Sequence, residues 1–347
     1  MSETGDSGGF APIQALGRLA PYHWSAGLVM RGLAELRIAD QLAGGPRTAV
    51  QVAAAIGAHA PSLHRFLRVC VLHDLVTAEE GGRFALTDRG ALLRSDVPSL
   101  RGFTIAVNAP GMTRPWEQIA DVVRTGRPAS EQVLGTSHWD HYAKHPAEAR
   151  AYVETSATLS AEAADALVRT IDCTGVRRVV DVGGSPGTVL AAVLDAAPQA
   201  HGVLLDLDWA VPYAEAELAR RGLAGRTETV GGDFRVAVPP GGDLYLLKNI
   251  LCDLDDDTAA TVLSVCAAAA PAGGRLVVVD WEDTGDTSHV HANDVEFMVL
   301  TGGRVRTGDE YEELLRAAGF EQVRRTRLSG FDRAPIVVLE GRRGTHD

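Results

Sequence analysis

Apolar residues in the first hundred positions recur every three to four along the chain. In AGLVMRGLAELRIADQL, Leu28, Val29, Leu33, Leu36, Ile38 and Leu42 fall at that spacing, which predicts an amphipathic helix. TAVQVAAAIGA and SLHRFLRVCVLHDLV continue the period as two further helices. The pattern then changes. LVTAEEGGRFALT places two β-prone stretches around Glu80, Gly81 and Gly82, and predicts a hairpin. Three helices followed by a wing are the layout of a winged-helix module. From about residue 101 to 170 the chain reads as connecting helices, broken at Pro110, Gly111, Pro115, Gly126 and Pro128.

Farther on the pattern changes again. RRVVDVGG, HGVLLDLD, GDLYLLKNIL and GRLVVVDW are short apolar runs separated by helical stretches. That alternation is expected of a parallel sheet covered on both faces. The tail, TGDEYEELLRAAGF with EQVRRTRLSG and APIVVLEGRR, reads as a helix and two closing strands.

Composition sets the bounds. The chain has 347 residues, 46% apolar and 22% charged, which excludes a natively disordered chain and is long enough for two domains. No run approaches the roughly 20 apolar residues that span a bilayer. The opening MSETGDSGGF lacks the basic and apolar regions of a signal peptide, so a cytoplasmic location with no membrane partner is expected. The net charge of −12 argues against a phosphate-binding surface and hence against a nucleic-acid partner. Residues 1–100 carry nine arginines against nine acids, so the winged module lacks a recognition helix's positive charge and reads as a dimerisation surface. The rival reading is a ligand-sensing winged-helix regulator. Cys70, Cys173, Cys252 and Cys266 show no CxxC pairing and read as free, buried thiols. Only Lys144 and Lys248 are lysines.

The candidate chemistry begins at DVGGSPGTVLAAVLDAA, where Asp181, Gly183, Gly184, Ser185, Pro186 and Gly187 stand between a strand and a helix. Glycines there let the backbone turn sharply and let a ligand approach the main chain at a helix N-terminus. Strand VLLDLD ends at Asp206, about twenty residues on, where an acid accepts hydrogen bonds from ribose hydroxyls. VGGDF adds Asp233 and Phe234, a carboxylate and a ring suited to an adenine amine and its π-face. A nicotinamide dehydrogenase would account for the acid but not for Asp233 and Phe234, nor for GGSPG in place of GxGxxG.

The order of glycine turn, acid, Asp-Phe, LLKNILCDLDDDTA and GGRLVVVDW resembles the S-adenosylmethionine-dependent O-methyltransferases of the plant-type small-molecule family, and actinobacterial antibiotic-tailoring members in particular. RIADQL, SLHRFLR and FALTDRGALL resemble its dimerisation domain. RTGRPASEQVLGTSHWDHYAKHP resembles its linking helices, and TGGRVRTGDEYEELLRAAGF its closing helix. The resemblance implies an α/β fold: a Rossmann-like, doubly wound methyltransferase domain over 166–347, a mostly helical winged-helix dimerisation domain over 1–105, and linking helices over 106–165. It also implies S-adenosylmethionine as cofactor, a homodimer and an aromatic substrate. Gly183, Gly184, Ser185 and Gly187 would then meet the methionine moiety, Asp206 the ribose, and Asp233 and Phe234 the adenine. Lys248 would add a polar contact. Ser156 stands where many relatives place a methionine. Trp116, Trp139, Tyr142 and Asn249 are candidate pocket residues.

Many members carry His-Asp-Trp after the LLK strand, the histidine being the general base. Here that place reads Cys252, Asp253, Leu254. A thiol with a pKa near 8.5 is a few per cent ionised at neutral pH, and a thiolate would compete for the methyl group, so Cys252 reads as a wall. Three explanations stay open. The substrate hydroxyl is already acidic and alignment supplies the rate; another residue is the base, with His138, His141 and Asp294 as candidates, Asp253 being counted with them only as a catalytic position beside Cys252; or the cofactor serves hydroxylation or C-methylation. His138, His141 and His145, like His289 and His291, could share a face, yet no carboxylate or cysteine stands at a ligand spacing, so no metal is expected. The run Asp253, Asp255, Asp256, Asp257 is read as charging the first turn of the helix that follows.

Overall fold

The computed structural model describes residues 23–97, 99–285, 288–331 and 334–344. MSETGDSGGF lies outside them. The chain divides into two compact units, Met1–Ala109 and Pro110–Asp347.

In the first unit the stretch read as one amphipathic helix is two, His23–Glu35 and Ile38–Leu42. Arg37 breaks it with a left-handed φ of 52°, which turns Ile38 and Leu42 into the core while Leu28 and Leu36 stay 44% and 45% exposed. Helix Ala49–Ile56 starts at a capping box: Thr48 Oγ1 accepts from the Gln51 N–H, and Gln51 Oε1 accepts from the Thr48 N–H. Helix Ala60–Leu72 follows. Strands β1 (Arg47–Thr48), β2 (Val76–Glu79) and β3 (Arg83–Leu86) form an antiparallel sheet in the order β1-β3-β2. Gly81 and Gly82, with φ of 73° and 70°, make the hairpin turn. Leu33, Ile38, Val52, Leu67, Leu75 and Phe84 pack together as this unit's core.

The second unit is built on seven strands. β4 (Arg178–Val182), β5 (His201–Asp206), β6 (Thr227–Gly231), β7 (Leu244–Lys248) and β8 (Arg275–Trp281) are parallel. β9 (Phe320–Arg327) and β10 (Ile336–Arg343) close the sheet antiparallel, in the order β6-β5-β4-β7-β8-β10-β9. Alternation along the strands divides the core between the faces. Val179, Leu204, Leu246 and Val277 pack with Leu167 of helix Pro146–Thr170 and Leu190 of helix Thr188–Ala196. Val180, Val203, Leu247 and Val278 pack with Leu263 of helix Asp256–Ala269 and Leu315 of helix Gly308–Ala317. Burial on both faces is why these strands read as continuous apolar runs. The order reverses beside β4, where the chain runs first to β5 and later returns to β7. In such sheets ligands bind at the carboxyl ends of the strands flanking this switch.

Candidate active site

Of the positions expected to hold a cofactor, Gly183, Gly184, Ser185, Asp206, Asp233, Phe234, Lys248 and Ser156 all line one cavity of about 320 Å³. It opens beyond the carboxyl ends of β4, β5, β6 and β7. Gly183 leaves β4 with a φ of 67°, and a Cβ there would stand 2.4 Å from Ile250 Cδ1. A Cβ on Gly184 would meet the Asp181 carboxyl at 2.3 Å. Both positions therefore need glycine. Asp206 shapes the same turn: its Oδ2 accepts from the Ser185 N–H at 2.9 Å and its Oδ1 from the Leu207 N–H at 2.7 Å. Gly187 is the exception. It does not line the cavity; its φ of 90° starts the helix, and a Cβ would press on Leu218 and Leu204 at 3.1 and 3.3 Å.

Asp233 does not wait with free oxygens for an adenine amine. Arg235, two residues on, donates to both of them, with Nη2 to Oδ2 at 2.8 Å, and this holds the Asp233 carboxyl below the usual range. Arg235 lines the cavity as well.

The electrostatics fit a polar ligand. Burial, with Asp206 nearby, pushes Asp181 up to about 7. Burial lowers Lys248, with Asp280 and Asp181 opposing the shift. Among the described residues eleven buried side-chain polar atoms lack a hydrogen-bond partner, and six belong to residues lining this cavity: Ser130 Oγ, His138 Nδ1, Asp181 Oδ2, Thr188 Oγ1, Trp209 Nε1 and Asn249 Oδ1. Unpaired buried polar atoms are rare in native proteins, and their concentration on one cavity marks a place for a polar group. The two glycines and the Asp206 carboxylate fit the amino-acid and ribose parts of S-adenosylmethionine.

A model of the O-methyltransferase domain matches residues 116–321, and a model of the O-methyltransferase dimerisation domain matches residues 24–96. The chain belongs to the O-methyltransferase family. It is an S-adenosylmethionine-dependent methyltransferase. It is 36% identical to phenazine O-methyltransferase of Lysobacter antibioticus, over 83% of this chain and 85% of that enzyme. The structure of mitomycin 7-O-methyltransferase superposes with a TM-score of 0.88 at 31% identity, covering 96% of this chain and 98% of that one. An O-methyltransferase from neocarzinostatin biosynthesis, solved with S-adenosylmethionine and 2-hydroxy-5-methyl naphthoic acid, gives 0.82 at 31% identity, covering 93% and 98%.

The family's histidine position is sealed. Cys252 is fully buried and does not line the cavity; its N–H donates to Asp280 Oδ2 at 3.1 Å. Burial, reinforced by Asp280, pushes the thiol well above its ordinary value. Asp253 does line the cavity, and burial beside Asp280 and Glu296 raises it well above the carboxylate range.

Other expected residues separate into two groups. His138, Trp139 and Asn249 line the cavity. Burial, with His141 nearby, lowers the His138 imidazole to about 4, the Gly111 backbone opposing the shift. Asn249 has a left-handed φ of 53°. His141, Tyr142, Trp116 and Asp294 do not line it. His141 turns toward Glu148, with Nε2 3.1 Å from Oε2, and stacks on His145 at 3.8 Å. Tyr142 is buried, with its hydroxyl on Met112 Sδ at 3.7 Å and its ring 5.1 Å from that of Tyr152. Trp116 packs in a side cluster with Val122 and Val299. Asp294 Oδ1 accepts from the Val305 N–H at 2.7 Å, which occupies it in holding the backbone. Of the acidic run, Asp255 is the cap, accepting from the Thr258 N–H at 2.7 Å, and Asp256 pairs with Arg306.

Sequence reasoning missed Arg235, Tyr152, Trp209 and Arg306. Tyr152 had a signal: with Ser156 and Ser160 it repeats a polar position every four residues on an alanine-rich helix, and all three line the cavity. Arg306 had none.

Proposed function

We propose that this enzyme methylates a phenolic oxygen of an aromatic natural product of polyketide type in antibiotic biosynthesis, acting as a homodimer. The observation that carries the reading is the set of six unpaired buried polar atoms around a cavity that also presents Trp139, Tyr152, Trp209, Leu254 and Leu300. Polar atoms suit the nucleoside and amino-acid parts of a cofactor, and flat apolar side chains suit an aromatic acceptor. The relatives named above are O-methyltransferases, which favours oxygen as the acceptor over carbon, over hydroxylation and over a regulator's role.

In this reading the Gly183–Gly184 backbone takes the methionine end, Asp206 the ribose and Phe234 the adenine ring, while Asp233, paired with Arg235, offers its remaining lone pairs to the adenine amine, with Lys248, Ser185, Asn249 and Ser156 as further polar contacts. When bound, S-adenosylmethionine supplies a methyl group activated by a sulfonium. The protein's own contribution is alignment of the acceptor oxygen and exclusion of water by Trp139, Leu254 and Leu300. Exposed apolar Leu28, Leu36, Val50, Leu72 and Leu92 in the first unit support a dimer surface there.

The test incubates the protein with methyl-labelled S-adenosylmethionine and a panel of hydroxynaphthoates, hydroxyphenazines and hydroxyanthraquinones, with mass analysis of products. A gain of one methylene group on oxygen is expected. A gain of one oxygen atom would overturn the assignment. Light scattering of Leu36→Glu should show a monomer where the parent protein is a dimer.

A further inference from the structure

We propose that Asp253 is the general base for the hydroxyl that receives the methyl group, replacing the histidine that relatives carry one residue earlier. The proposal rests on the methyl-transfer reading above and names the residue that completes it. Cys252 cannot serve, because it is fully buried, its N–H is held by Asp280 and no part of it lines the cavity. Asp253 does, and among the described residues no hydrogen bond is made to its carboxyl.

The backbone around Asp253 is fixed on both sides. Arg306, fully buried, donates to the Leu251 carbonyl at 2.6 Å and to the Leu254 carbonyl at 2.8 Å. Gly303 lies against the same turn so closely that a Cβ would stand 2.1 Å from the Cys252 carbonyl oxygen and 2.5 Å from the Asp253 carbonyl carbon. The carboxyl is thus held on a rigid turn at the cavity wall, as a positioned base requires.

Its surroundings tune it. Asp280 comes from β8 and Glu296 from helix Ser288–Leu300, and both add like charge. Tyr152 and Tyr142 stand within its field from the helices Pro146–Thr170 and His138–Lys144. Lys248 on β7 acts on Asp280, Cys252 and Asp181. A carboxylate destabilised by burial and like charge is a stronger base than one in water, and so better matched to a phenol.

In the step, the substrate O–H bond breaks and its proton passes to an Asp253 carboxylate oxygen. The freed pair on oxygen forms the O–CH3 bond, while the methyl carbon's bond to sulfur breaks with its pair remaining on sulfur. The products are an aryl methyl ether, the neutral thioether of the cofactor and a protonated Asp253, which releases its proton to solvent.

The experiment compares wild type with Asp253→Asn on phenols of graded acidity. For phenols less acidic than the assay pH, kcat should fall about a hundredfold or more, with KM and the calorimetric affinity for S-adenosylhomocysteine unchanged within roughly threefold. The loss should shrink to a few-fold for phenols already ionised, and the acid limb of the kcat/KM profile should vanish. Infrared titration should show a protonated-carboxyl band that persists above the ordinary carboxylate range and loses intensity in Asp253→Asn, the remainder belonging to buried acids such as Asp181. An equal loss across all phenols, or a loss under tenfold, overturns Asp253 as base. A wild-type protein that binds S-adenosylhomocysteine but methylates no phenol overturns the reading of the site along with it.

Discussion

Cys252 and Asp280, 28 residues apart, are held together: the Cys252 N–H reaches Asp280 Oδ2 at 3.1 Å, and the buried thiol lies in the field of the same carboxyl. The family resemblance leads one to expect a histidine at this position, and this chain places a sealed contact there instead. Because the backbone half of the pair survives truncation, Cys252→Ala should keep kcat within about threefold and cost on the order of 1 kcal/mol of stability for the lost sulfur packing. Rates with an aromatic disulfide reagent should show the native thiol reacting far more slowly than the unfolded one. A hundredfold loss of kcat would show that the thiol takes part in the chemistry.

Asp206 spends one oxygen on the Ser185 N–H and the other on the Leu207 N–H. Asp206→Asn can keep only one of these, since its amide nitrogen faces a donor. Stability should drop by about 1–3 kcal/mol and cofactor affinity should weaken tenfold or more. Urea denaturation and calorimetry measure the two separately, and unchanged stability would mean that the carboxylate does not shape the turn.

Arg306 and Asp256 are unequal ends of one ion pair, the first fully buried and the second 57% exposed. Removing the buried end orphans the Leu251 and Leu254 carbonyls, so Arg306→Met should cost about 3 kcal/mol and lower kcat with it. Asp256→Asn should cost under about 1 kcal/mol, because solvent screens the exposed carboxylate. Equal costs would show that the charge pair, and not the carbonyl contacts, holds the turn.

Two buried groups should tilt the stability of the ligand-free protein in opposite directions with pH. His138 is lowered from 6.5 to about 4, so the unfolded chain takes up its proton first, and the stability present above 6.5 is lost as pH falls toward 4. Asp181 is raised from 3.8 to about 7, so its contribution is fully present below 3.8 and is lost as pH rises toward 7. In denaturation across this range, His138→Gln should flatten the acid-side loss and Asp181→Asn the loss on the neutral side. A slope unchanged in either variant refutes that group's part.

Much of the fold was legible locally. The Thr48–Gln51 and Thr307–Glu310 capping boxes and the Asp255 cap mark helix starts that side chains set within one turn. The glycines at 183 and 184 and the acid closing β5 are legible because turn geometry restricts residue type at short range. Trp116 and Asp294 were harder, since composition says that an aromatic or an acid is present but not which neighbour it meets. Arg37 was hidden because its left-handed φ interrupts an apolar period that runs on without a break.

By itself, then, the sequence determined the strand and helix succession, the glycine turn and the cysteine at the position where the resemblance implies a histidine, all consequences of local residue type and period. Tertiary structure alone decided which of two adjacent residues faces the chemistry. Cys252 and Asp253 share one irregular turn, and which side chain turns inward depends on Asp280, Gly303 and Arg306, partners about 27 to 54 residues away that no local period encodes.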